Sequence, residues 1–288
     1  MNTKRILGLC LLLSISTIAM AQASGGQISR KETKPAQVSN NNRNRKSNKL
    51  PTRYECPFAI YRRDVVWQSN PSYIKANSDI AALQAKYEEE LKMMQDELTL
   101  HNNEYEKNKK RMSKKDQKKK EDQLQTMYLK IQQYFEDCQA DLNKFAQNKQ
   151  NEINNEIGYA GLRIMNKENI KEAFSDNGVY FWNPEYCLDI TNVFIKELGG
   201  NVYSAPISFK YSDKPPKIGY VFSERIPGFN PNENSEYQQS NWERLKRLSK
   251  MIAESDGYIC IVDVSQLTNV QAEYAVNVTY KLIEKFKQ

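Results

Sequence analysis

Four short apolar runs punctuate the chain, and they fall into two pairs. Phe58-Ala59-Ile60-Tyr61 and Val179-Tyr180-Phe181-Trp182 make the first pair, and residues 218–222 and 258–262 make the second. Each run is strand-like in length and apolarity. In both pairs a helical pattern separates the two runs and an amphipathic helix follows the second. About 117 residues separate the first pair and about 35 the second, and the long insert is almost wholly charged, heptad-patterned sequence. The pattern predicts one β-rich unit present twice, with a long helical hairpin issuing from the first copy only. A chain laid out in this way grips or spaces something, and it is a poor candidate for catalysis.

The insert lacks Pro and Gly from about Asn77 to Gly158. Apolar residues recur at Ile80, Leu83, Tyr87, Leu91, Met94, Leu98 and Tyr105, mostly in steps of three and four. Later the period tightens to seven: Leu124, Ile131, Cys138 and Phe145 form one series, and Tyr128, Phe135 and Leu142 the other. These are the a and d stripes of a coiled coil. Residues 111–118 carry no apolar stripe, so the chain can reverse there and the two helices pack antiparallel. Thirty-odd residues at 1.5 Å each give an arm of roughly 50 Å. Ile153, Ile157, Ala160 and Ile164 continue an apolar face beyond it. Met93, Tyr105, Met127 and Tyr134 stand beside the seam or at its thinning end, where Met and Tyr side chains suit adaptable contacts with varied partners.

In the first unit Asp176-Asn177-Gly178 turns the chain into the run at 179–182, and Asn183-Pro184 ends it, since proline cannot donate to a ladder. Asp189 is expected to cap a short helix with Ile190, Val193, Phe194 and Leu198 on one face, terminated by Gly199-Gly200. In the second unit a helix presents Trp242, Leu245, Leu248 and Ile252, Asp256-Gly257 turns into the run at 258–262, and a final helix presents Tyr274, Val278 and Leu282. Two short strands make no independent sheet, so the units must pair with each other or with other chains. The expected fold class is α+β: a small β-rich body with a coiled-coil arm at about 77–165 inside a unit at 56–200, and a smaller αβ repeat at 216–288.

Charge changes the picture only once it is located. The net charge is +7. Lys4 and Arg5 precede an apolar stretch at 6–18 and the small-x-small triplet Ala19-Met20-Ala21, the pattern of a secretory signal at 1–21 cleaved near Gln22. Residues 22–55, with eight Lys/Arg against Glu32 and Glu55, are too polar to bury a core and are expected to be a disordered basic linker. The rest is close to neutral but polarised: Lys107, Lys109, Lys110, Arg111, Lys114, Lys115, Lys118, Lys119 and Lys120 cluster at the bend against one acid, Asp116. No nucleic-acid module accompanies this patch, so it points to anionic lipid or acidic polypeptide. Cys56, Cys138, Cys187 and Cys260 have neither C-x-x-C spacing nor a nearby His, which argues against zinc and redox chemistry. A Cys56–Cys187 disulfide stays open.

The strand Lys217-Ile218-Gly219-Tyr220-Val221 and the helix Asp189-Ile190-Thr191-Asn192-Val193-Phe194-Ile195-Lys196, taken with the order strand, long hairpin, strand, helix, resemble the Skp/OmpH periplasmic chaperones. The resemblance covers 57–198, with a second, armless copy at about 216–286. It implies a periplasmic holdase that keeps unfolded outer-membrane proteins soluble without nucleotide or other cofactor, as a homo-oligomer with a trimer favoured. Anionic lipid or a lipopolysaccharide surface is a further candidate partner of the basic bend, and nucleic acid is not. An enzyme is not expected, because the single His101 lies in the arm and no phosphate loop, nucleophile elbow or metal spacing occurs. The alternative reading is an exported coiled-coil protein that tethers envelope components.

Overall fold

The computed structural model describes residues 53–230 and 235–287. The expected signal segment and all but the end of the expected linker lie outside the described residues. In chain order the elements are β1 (Tyr54–Glu55), β2 (Phe58–Tyr61), α1 (Arg63–Ser69), α2 (Pro71–Asn108), α3 (Lys114–Lys167), β3 (Glu172–Ser175), β4 (Val179–Trp182), β5 (Cys187–Asp189), α4 (Thr191–Glu197), β6 (Tyr211–Ser212), β7 (Ile218–Val221), α5 (Glu236–Asp256), β8 (Cys260–Asp263), β9 (Ala275–Asn277) and α6 (Thr279–Lys287). They divide into a helical unit, Ser72–Ile153, and a mixed unit formed by the residues up to Pro71 and from Asn154 onward. The class is α+β, as the apolar pattern predicts.

Three sheets build the mixed unit. β2 lies between β3 and β5, all parallel. A four-stranded sheet runs β4-β8-β7-β9, with β4 antiparallel to β8 and the other pairs parallel. β1 and β6 form a short antiparallel ribbon. The pleat sends alternate residues to opposite faces. Phe58, Ile60, Phe174 and Cys187 of the smaller sheet meet Val179, Ile218, Cys260 and Val262 of the larger in one buried cluster. On the far face of the smaller sheet the Tyr61 ring lies 4.5 Å from that of Phe194 on α4. On the far face of the larger, Val221 and Ile261 pack under Leu245 and Ile252 of α5 and Leu282 of α6. A strand such as β8, apolar at Cys260, Ile261 and Val262, is covered on both faces, which is why it shows no polar alternation.

Local chemistry sets the helix ends. Pro71 opens α2, where its missing N–H leaves no bond unmade. The Ser235 hydroxyl accepts from the Gln238 N–H at 3.3 Å and caps α5. Gly257 ends that helix at φ 75°, a left-handed conformation that suits glycine.

Several sequence expectations need correction. The four apolar runs are not all of the strands: the run at 179–182 crosses to β8, while β2 takes as neighbours β3 and β5, which the apolar pattern did not mark. Tyr274 is not on the last helix, because 275–277 are extended against β7 and α6 starts at Thr279. Tyr54 and Glu55, expected at the end of the linker, are a strand held by β6. Asp189 does serve the start of α4, accepting from the Thr191 N–H at 2.9 Å, but it does so from within β5. All four described cysteines are buried free thiols, so Cys56 and Cys187 are not joined.

Candidate functional site

The helical unit carries the candidate site, and its seam follows the heptads. Leu91, Leu98 and Tyr105 on α2, and Leu124, Ile131 and Cys138 on α3, recur every seven residues and are at most 6% exposed. Tyrosines at the rim lock the register. Tyr105 donates to Glu121 Oε1 at 2.6 Å, Tyr134 donates to Glu90, and Tyr87 donates to Asp141. The partner number rises as the first falls, so the hairpin is antiparallel. Each tyrosine buries its ring in the seam and brings its hydroxyl to a rim carboxylate. Those carboxylates hold the phenols neutral. The Tyr87 pKa is pushed up to about 12, chiefly by its bond to Asp141. Burial first, and Glu90 next, push Tyr134 up. Tyr105 is raised by burial and by Glu121.

The bend is equally specific. A 3-10 turn, Lys109–Arg111, reverses the chain at the very start of the stripe-free stretch at 111–118, most of which is already the first turns of α3. Gln117 Nε2 donates to the carbonyls of Lys109 at 2.9 Å and Met112 at 3.1 Å. Ser113 Oγ accepts from the Asp116 N–H at 3.2 Å and donates to its carboxylate at 2.7 Å, which caps α3 and places an acid on its first turn. Lys109 Nζ lies 5.0 Å above the Tyr105 ring and 3.7 Å from Glu121 Oε1. The Tyr105 hydroxyl, ahead of the Lys109 charge, holds Glu121 below the ordinary carboxylate range.

Lys109 is thus engaged within the hairpin. Lys107, Lys110, Arg111, Lys114, Lys115, Lys118, Lys119 and Lys120 are exposed, and none is paired with a carboxylate among the described residues. Lys115, Lys118, Lys119 and Lys120 line a concavity of about 1050 Å³ together with Asp116, Asp122 and Met127. Met127 therefore shares its surroundings with four cations and two carboxylates. His101 stands between Glu97 at 3.9 Å and Glu104 at 3.7 Å on its own helix.

The uncharged candidates divide. Met93 is 59% exposed, while Met127 and Tyr134 are half-buried against the seam. Tyr105 is 2% exposed, so it is not available for contact with a partner; its position continues the Leu91–Leu98 repeat and its hydroxyl is committed to Glu121. Two exposed apolar side chains escaped the sequence reading: Leu100, 58% exposed, and Leu129, 53% exposed. Leu100 follows Leu98 by two places and Leu129 follows Tyr128 by one, so both fall off the seam phase, and that mismatch is the signal that marks them.

The described residues contain no group of side chains arranged to hold a metal ion and no helix long and apolar enough to cross a membrane. The site is thus a slender scaffold with a basic end and scattered apolar side chains. No curated protein and no solved structure matches the chain. Residues 57–198 match the family described as outer membrane protein (OmpH-like), a span that runs from β2 through the hairpin to the end of α4. Over this span, which contains the whole hairpin and the three-stranded sheet, the chain carries an OmpH-like domain.

Proposed function

We propose that this protein is a periplasmic, ATP-independent holdase that grips unfolded outer-membrane proteins with its helical hairpin. OmpH-like proteins are periplasmic chaperones for outer-membrane proteins rather than enzymes, and the matched span contains the hairpin entire. The observation that carries the reading is the division of labour on the hairpin: its seam is spent on itself, while eight cations without a carboxylate partner among the described residues and the exposed Met93, Leu100 and Leu129 face outward. Cations draw in an acidic, unfolded chain through a field that reaches about 8–10 Å at physiological salt. Flexible apolar side chains then hold many sequences weakly instead of one tightly. A tethering protein would need a discrete docking patch for one partner.

Dilution of a urea-unfolded outer-membrane β-barrel protein into buffer, followed by light scattering, tests this. Near-stoichiometric amounts of the chain, without nucleotide, should suppress the scattering. Unchanged scattering at several-fold excess would sink the holdase reading.

A further inference from the structure

Two parts of the mixed unit are built alike. β2 sits between β3 and β5 as β7 sits between β8 and β9, and the registers coincide: Phe58 faces Glu172 and Cys187, and Ile218 faces Cys260 and Ala275. Bonds beyond the ladders coincide as well. The Lys171 N–H donates to the Pro57 carbonyl at 2.8 Å and the Ile259 N–H to that of Lys217 at 2.9 Å. The Ile190 N–H donates to the Ile60 carbonyl at 2.8 Å and the Val278 N–H to that of Tyr220 at 3.0 Å. A threonine hydroxyl closes each turn after the central strand: Thr191 Oγ1 accepts from the Arg62 N–H at 2.9 Å, and Thr279 Oγ1 accepts from the Phe222 N–H at 3.0 Å. Asp189 and Asn277 in turn accept from the backbone of those two threonines. The sequence offset between Glu172 and Cys260, Cys187 and Ala275, and Thr191 and Thr279 is the same throughout.

The contact between the two parts has a twofold character. Val179 of β4 lies opposite Val262 of β8. By the constant offset their counterparts are Leu267 and Phe174, and these two are buried in the same cluster. Gly178 and Gln266 are counterparts of each other and meet directly: a Cβ on Gly178 would stand 2.5 Å from Gln266 Cγ. Gln266 Oε1 accepts from the Ser175 N–H at 3.0 Å, and the hydroxyls of Thr268 and Tyr274 donate to buried Glu172 at 2.5 and 2.7 Å. Residues 266–268 thus cover the outer edge of β3 as β4 covers the outer edge of β8. Self-complementary contact of this kind is what a twofold dimer interface requires.

We infer that residues 217–286 are a second copy of the unit at 57–198 without its hairpin, and that this copy occupies within one chain the place of a second subunit, so that a chain with a single hairpin completes the mixed unit by itself. An open strand edge invites another chain. Here the edges of β3 and β8 are closed in cis, so neither asks for one. The inference concerns assembly and is independent of what the hairpin holds.

The native mass of the full chain tests it, measured by light scattering after size exclusion and by native mass spectrometry over a wide dilution series. The expected result is one chain, no heavier than 33.5 kDa. A dimer or trimer that survives dilution would overturn the inference. A second arm uses Gly178→Val, which drives Gln266 off Ser175: thermal unfolding of the mixed unit should move to lower temperature with mass still that of one chain. An unmoved transition would equally contradict it, because the two copies would then not depend on their shared contact.

Discussion

Three tyrosine–carboxylate bonds fasten the hairpin, and their titration gives it a pH window. The folded pKa of Tyr87 is about 12 against an ordinary 10.0, so its contribution is intact below 10.0 and is lost as pH climbs from there through about 12. Tyr105 and Tyr134 shift in the same direction. Glu121 is shifted the other way, so its contribution is present above the ordinary carboxylate range and fades as pH falls through its lowered folded value. Melting followed by circular dichroism at 222 nm should therefore show a plateau near neutrality, with an acid limb and an alkaline limb. Tyr105→Phe removes the bond to Glu121 and should cost about 0.5–1 kcal/mol at neutral pH. The same variant should flatten the acid limb. An acid limb identical in the variant and the parent would show that Glu121 owes its stabilising role to other groups.

At the scale of elements, the hairpin was the most legible part of the chain, and the reason is physical. A seam between two helices selects apolar residues every seven positions over many turns, so the repeat in α3 announces itself. Even the bend left a trace, in the Ser113–Asp116 capping pair. Strands β3, β5 and β9 were not legible. Each has only three or four residues, carries a polar side chain, Glu172, Asp189 or Asn277, and is held in its ladder by a strand distant in sequence. Of the site, the charge run was legible from composition, whereas the burial of Tyr105 and the exposure of Leu100 and Leu129 required knowing the phase of the seam. Ile131, 1% exposed at the centre of that seam, should lose about 2–5 kcal/mol on truncation to Ala, read as a lower melting temperature of the helical signal. Lys110, Lys114, Lys115, Lys118 and Lys119 lie on the surface, so changing all five to Gln should leave melting within a degree or two and slow association with an acidic unfolded chain at low salt. An association rate independent of both salt and substitution would show that the run serves solubility alone.

In the molecule as a whole, the two sheets depend on one another through a polar clasp as well as a shared core. Glu172 is 2% exposed and accepts from Thr268 and Tyr274, both of which come from beyond β8. Glu172→Ala would leave two hydroxyls without their acceptor, and the expected loss is about 1–3 kcal/mol, measured by urea unfolding of the mixed unit. The same loss should not appear in client binding if the hairpin does the holding, which separates a stability defect from a functional one. That separation is also the basis of the most direct test of the account: photo-crosslinking of an unfolded outer-membrane β-barrel protein to the full chain, with the reactive group placed in turn at Met93, Leu100 and Leu129 on the hairpin and at Tyr203 and Tyr280, which are 81% and 75% exposed on the mixed unit. Capture should concentrate at the three hairpin positions and weaken in the five-lysine variant. Capture from Tyr203 and Tyr280 with none from the hairpin would contradict the account.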